Sequence, residues 1–199
     1  TPALSETERN NLLSKLGIPT DRTLFIYGGN LGKPQGIDFL LKVTEANEGN
    51  NKSHIIIIGS GTEYPRIAQW FEQTSPTNAT LLSALPKDEY DRLVQACHVG
   101  LIFLDPRFTI PNFPSRLLSY LENNMPVLLA TDTNTDMGRI AEREGFGLWS
   151  ESGRLEEFID NMNMLTGNHG LIAEMGRKGK QFLLDNYTVD KVADIILRK

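Results

Sequence analysis

The segment Gly28-Gly29-Asn30-Leu31-Gly32-Lys33-Pro34-Gln35-Gly36 places four glycines and a lysine just ahead of a helical pattern. Where side chains are absent, a phosphate can approach backbone N–H groups and the positive end of a helix dipole, with Lys33 as counter-charge. The segment matches neither the GxxxxGK[ST] phosphate loop nor the GxGxxG dinucleotide fingerprint. A turn that needs positive φ is the competing explanation. A second loop, Gly59-Ser60-Gly61-Thr62-Glu63, has two glycines before a helix and Thr62 as a candidate N-cap, but taken alone it is better explained as a plain turn. The richest stretch is Asp105 to Pro126, DPRFTIPNFPSRLLSYLENNMP. Pro106, Pro111 and Pro114 stiffen its loop, and Pro114 suits the first turn of the helix 115–124. Ser115, Arg116 and the N–H groups of that helix make a second anion site, unless Arg116 serves in a surface ion pair.

Other chemistries find little support. His54 and His98 begin strands and His169 sits between helices, so no pair has ligand spacing on one face and no metal site is expected. There is no GxSxG nucleophile elbow. Cys97 is the lone cysteine, which excludes a disulfide framework within the chain and reads as a packed thiol in a reducing compartment.

The elements that must position these residues follow from periodicity. Short β-branched or aromatic runs alternate with helical stretches: Leu24 to Tyr27, Ile55 to Ile58, Ala79 to Leu82, Val99 to Leu104, Val127 to Ala130 and Phe146 to Trp149. A run such as Ile55 to Ile58 does not alternate with polar residues, so both of its faces are buried, as in a parallel strand covered by helices. Stripes at Ile37, Leu40, Leu41 and Thr44, at Tyr90, Leu93, Val94 and Cys97, and at Leu155, Phe158, Ile159 and Met162 have helical spacing. Helices are expected near 154–166, 171–185 and 188–198. Met162 and Met164 read as core filler. The order predicts an α/β fold, a doubly wound parallel six-stranded sheet with a helical C-terminal tail. Ligands of such a sheet bind outside the carboxyl ends of its strands, where the strand order reverses.

Composition sets the outer bounds. The chain has 199 residues, 40% hydrophobic and 23% charged, which is enough for a sizeable core. No apolar run is long enough to span a membrane, and no stretch has the order of a secretory signal. A net charge of −5 argues against nucleic acid and against a polybasic membrane anchor, so an anionic ligand must be met locally. The first residue is Thr1, which points to a piece of a longer protein.

Five segments in order, GGNLGKPQG, HIIIIGSG, LPKDEY, PNFPSRLLSYLENNMPVLLATD and MGRKGKQFLLDNYTVDK, resemble one domain. It is the C-terminal, donor-binding domain of retaining glycosyltransferases of family 4 with GT-B architecture, nearest to capsule and O-antigen enzymes such as N-acetylfucosaminyl transferases. The resemblance runs from about Arg22 to Val192. It implies 1–22 as a linker from a missing N-terminal acceptor domain, 23–185 as the donor domain, and 186–199 as a C-terminal helix. It also implies a nucleotide diphosphate sugar, most simply a UDP-sugar, as donor, and a glycan or lipid-linked sugar as acceptor. No metal or other cofactor is expected, and the setting would be cytoplasmic, at the inner face of the membrane, with peripheral association through the missing domain.

The resemblance places the diphosphate on Gly29, Asn30, Gly32, Lys33, Gln35, Phe113, Pro114, Ser115 and Arg116, and the nucleoside on Gly59, Gly61, Leu85, Pro86 and Ser119. No catalytic residue is assigned within the chain. The sequence departs from the family in two places. The family's loop arginine and lysine positions hold Asn30 and Gln35, with Lys33 as the available cation. The two glutamates of its E-x7-E motif fall on Pro111 and Ser119, so a charged bidentate ribose contact is replaced by one hydroxyl. Two rival readings are a nucleotide-sugar 2-epimerase, which would want a carboxylate and histidine constellation, and a non-catalytic flavodoxin-like nucleotide-binding module, which would leave the helical tail unexplained.

Overall fold

The computed structural model describes residues 3–33, 36–104 and 115–186. Helix α1 (Glu6–Lys15) precedes β1 (Thr23–Asn30), α2 (Ile37–Ala46), β2 (Ser53–Ser60), α3 (Tyr64–Thr74), β3 (Ala79–Ser83) and α4 (Lys87–Ala96). Then come β4 (Val99–Phe103), α5 (Ser115–Glu122), β5 (Val127–Thr131), α6 (Met137–Glu144), β6 (Gly147–Glu151), α7 (Leu155–Leu165) and α8 (His169–Asn186). The six strands form one sheet in the order β3-β2-β1-β4-β5-β6, and every adjacent pair is parallel.

Successive side chains of a strand point to opposite faces, and both faces are dry here. Leu24, Ile26, Ile56 and Ile58 join one core cluster with residues of α1, α4, α5 and α6. Phe25, Tyr27, Ile55 and Ile57 join the other, with residues of α2, α3 and α7. This two-sided burial is what the unbroken apolar runs require. Cys97 is a buried free thiol whose pKa burial pushes up to about 12, so it stays protonated.

Several boundaries differ from expectation. Gly28, Gly29 and Asn30 are not loop but strand, because β1 stays in register with β2 through Gly28↔Ile58, Gly29↔Gly59 and Asn30↔Ser60. Glycine lowers local strand propensity, yet the ladder to β2 overrides it. The N-cap of α3 is Glu63 rather than Thr62, and α8 begins at His169, so Gly170 lies inside a helix. Within 1–22, read as a linker, α1 buries Leu13 and Arg9 donates to the Ala96 carbonyl at 3.0 Å. The helix expected at 188–198 lies outside the described residues. No helix among the described residues is long and apolar enough to cross a membrane.

Candidate functional site

The strand order reverses between β1 and β4, and that junction is built to stay open. β1 and β2 pair over eight residues, whereas β1 and β4 pair only at Phe25↔Val99 and Ile26↔Gly100. Beyond Ile26 the two strands part, which strips backbone groups of their ladder partners. The Tyr120 hydroxyl from α5 takes their place, donating to the Ile26 carbonyl at 3.1 Å and accepting from the Gly28 N–H at 3.3 Å. Its ring lies against Gly100, where a Cβ would come within 2.2 Å of the ring. Tyr120 therefore props the sheet open while satisfying buried polar groups that would otherwise cost stability.

Arg116, one turn before Tyr120 on α5, reaches over the carboxyl end of β1. Its guanidinium carbon stands 4.2 Å from the Tyr27 ring centroid, and Nη2 donates to the Asn30 carbonyl at 3.0 Å. Gly29 leaves room for it: a Cβ there would lie 3.2 Å from Nη2, and φ is +113°. Burial works against the Arg116 charge, but Tyr27 and Tyr120 outweigh it and hold the guanidinium above its ordinary pKa. Tyr27, Tyr90 and Tyr120 are themselves pushed upward, first of all by burial, so all three are neutral phenols at pH 7. The result is a fixed cation among rings and hydroxyls at the crevice.

The glycines of the second loop have a backbone reason. A Cβ on Gly59 would sit 1.9 Å from the Gly29 carbonyl oxygen, and one on Gly61 would sit 2.6 Å from that of Leu31. Leu31 N–H donates to Ser60 O and Glu63 N–H to Leu31 O, both at 2.9 Å, which zips the two loops together. Gly36, at φ +64°, is the N-cap of α2 and provides no side-chain cap, so the first N–H groups of that helix keep no side-chain acceptor at their cap. Asp38 in its first turn is paired with Arg66, which also bonds Glu63 at 2.6 Å. Lys33 is exposed on the same loop.

Thus Gly29, Asn30 and Arg116 are brought into contact, and Gly32 and Lys33 follow them on the loop. Ser115 is exposed at the start of α5, and Ser119 is half-buried one turn later. Pro86 is the N-cap of α4, and Leu85 packs against the core cluster beneath it. Gln35, Phe113 and Pro114 lie outside the described residues. A cavity of about 190 Å³ opens beside the start of α2, between Phe39, Phe103, Ser152 and Gly153, where the Ser152 hydroxyl donates to the Leu104 carbonyl at 3.0 Å. Sequence reasoning missed Tyr27, Tyr90 and Tyr120 because aromatic residues in strands and helices read as core. The one available signal was Tyr120 four residues after Arg116, which puts both on one helix face.

Solved structures share this fold at low identity. A TarM variant of S. aureus in complex with fondaparinux, alpha-GlcNAc-glycerol and UDP is 16% identical, with a TM-score of 0.74 over 98% of this chain and 42% of that one. Anabaena Alr3699/HepE with UDP-glucose is 14% identical, with a TM-score of 0.75 over 98% of this chain and 53% of that one. The C-terminal domain of LpcC from Francisella tularensis is 15% identical, with a TM-score of 0.68 over 94% of this chain and 95% of that one. The chain thus spans about half or less of the first two and nearly all of the third, and its fold is the Rossmann-like half of a GT-B protein. No curated protein matched by sequence at a significant level. The family model described as glycosyl transferases group 1 matches residues 8–182, and the chain belongs to that family.

Proposed function

We propose that this chain is the donor half of a retaining, family 4 glycosyltransferase that takes a UDP-sugar and works without a metal. The full enzyme would transfer the sugar to a glycan or lipid-linked acceptor in surface polysaccharide synthesis, in the manner of capsule and O-antigen enzymes such as N-acetylfucosaminyl transferases. The acceptor would be held by an N-terminal domain outside these residues, at the cytoplasmic face of the membrane. One observation carries the reading: Arg116 lies at the reversal of strand order, bonded to the Asn30 carbonyl. The family's loop arginine is Asn30 here, and a guanidinium delivered from α5 reaches the backbone carbonyl of that residue. As the glycosidic bond breaks, negative charge grows on the departing diphosphate, and Arg116, Lys33 and the start of α2 would supply the positive charge that meets it. The UDP in the TarM complex and the UDP-glucose with Alr3699/HepE support a uridine donor.

Calorimetry with UDP and GDP tests this on the wild type, Lys33→Ala and Arg116→Gln, with folding checked by circular dichroism. Loss of a charge-assisted contact should weaken UDP about ten- to a hundred-fold. Binding should survive chelation by EDTA. Unchanged affinity in both variants removes the diphosphate site, and a magnesium requirement removes the metal-independent assignment.

A further inference from the structure

The amino edge of the sheet, opposite the Arg116 crevice, holds a separate polar cavity of about 370 Å³. Arg9 of α1, Arg22 ahead of β1, Lys52 ahead of β2, His98 ahead of β4 and His169 at the start of α8 all line it. Asp21 is the one carboxylate in that lining, and none of the three cations forms an ion pair among the described residues. Like charges collected from three elements repel one another, so their convergence costs stability unless an anion answers it.

The wall is pinned before any ligand arrives. Arg9 donates through Nε to the Ala96 carbonyl at 3.0 Å and through Nη1 to that of Thr20 at 3.3 Å. Its Nη2 is buried and has no hydrogen-bond partner among the described residues. His98 Nδ1 accepts the Leu24 N–H at 2.9 Å, so in the neutral ring the proton sits on Nε2 and leaves a donor there. The His169 ring lies 5.6 Å away, and Gly167 N–H donates to Thr23 Oγ1 at 2.9 Å, closing the last side. The cations are felt by their neighbours. His98 and His54 are each held at about 4, by burial first and then by Arg9 and Arg22 respectively.

We infer that this cavity binds a soluble, phosphate-bearing small anion of the pyrophosphate or sugar-phosphate class. A guanidinium with a spare N–H, a second guanidinium, an ammonium and an imidazole N–H match several phosphate oxygens better than a single carboxylate. The volume suits a small molecule, since ligand cavities start near ~300 Å³. A flat lipid surface would meet the exposed Lys52 but would not reach the buried Nη2 of Arg9.

Calorimetry of the 199-residue chain with pyrophosphate tests this, together with the His98 and His169 ring resonances by NMR. Lys52→Gln alone and with Arg22→Gln removes charge without touching the Arg9 bonds that tie α1 down. Pyrophosphate should shift both histidine resonances, and the double variant should weaken that binding about ten- to a hundred-fold. UDP binding should be unchanged in the same variant, and Lys33→Ala should leave the histidine response intact, which separates this site from the donor reading. The inference falls if millimolar pyrophosphate leaves both rings unmoved, or if Lys33→Ala abolishes the response. It also falls if Arg22 and Lys52 support binding to phosphatidylglycerol vesicles but to no soluble anion.

Discussion

At the carboxyl edge of the sheet Arg116 lies on a tyrosine ring, bonded to a carbonyl and fitted against glycine. At the amino edge Arg9, Arg22 and Lys52 stand around an open polar cavity. The first arrangement depends on close approach: strands that part after Ile26, a hydroxyl that fills the gap, and loops whose backbones nearly touch. The second depends on charge, with few side-chain bonds to its cations. Both edges gather cations, but the first should fail through sterics and the second through electrostatics.

The largest expected effect breaks the close approach. Gly59→Ala puts a methyl 1.9 Å from the Gly29 carbonyl, whereas Gly49→Ala, at φ +85°, meets nothing within 4 Å. Urea unfolding should show a loss of about 3 kcal/mol or more for Gly59→Ala, from overpacking against backbone. Gly49→Ala should cost only the left-handed conformation, about 1 kcal/mol. Equal costs would mean that the carboxyl ends of β1 and β2 can simply move apart.

Next comes the prop between β1 and β4. Tyr120→Phe leaves the Ile26 carbonyl and the Gly28 N–H without their buried partner, a loss of about 2 kcal/mol, and should weaken UDP through the misplaced crevice. Tyr120→Phe at wild-type stability would show that β1 and β4 can close up without the hydroxyl.

The smallest effect probes the amino side through pH. His54 and His98 have folded pKa values near 4 against 6.5 unfolded, so between those values the unfolded chain binds more protons and stability falls as pH drops. At one unit below the ordinary histidine value, each should contribute about 1 kcal/mol of that loss. Thermal melts of His54→Gln should show a shallower decline across this window. A slope as steep as wild type would place the proton uptake elsewhere.

The sequence was legible wherever the signal was local. Ile55 to Ile58 announced a strand buried on both faces, and both core clusters use it. The order of runs and stripes was enough for six parallel strands, and the rule for such sheets pointed to the loops that follow the strands, while the place where the order reverses, between β1 and β4, came only from the structure. Glycine content marked both segments, and the second was read as a plain turn, with a nucleoside contact implied by the resemblance, whereas at Gly59 and Gly61 the nearest demand is another backbone. The strand extension through Asn30 was not legible, because glycines argue against strand and only pairing with β2 reverses that.

What the sequence by itself determined is therefore the fold class and the two-faced sheet, since these follow from periods of two and 3.6 residues within short windows. Tertiary structure alone decided the contacts that give both edges their chemistry. Arg116 meets Asn30 across 86 positions, Tyr120 meets Ile26 across 94, and His98 faces His169 although the two share no element. Such pairs leave no local pattern, because chain closure over that distance is fixed by strand order and helix packing rather than by the residues that end up touching.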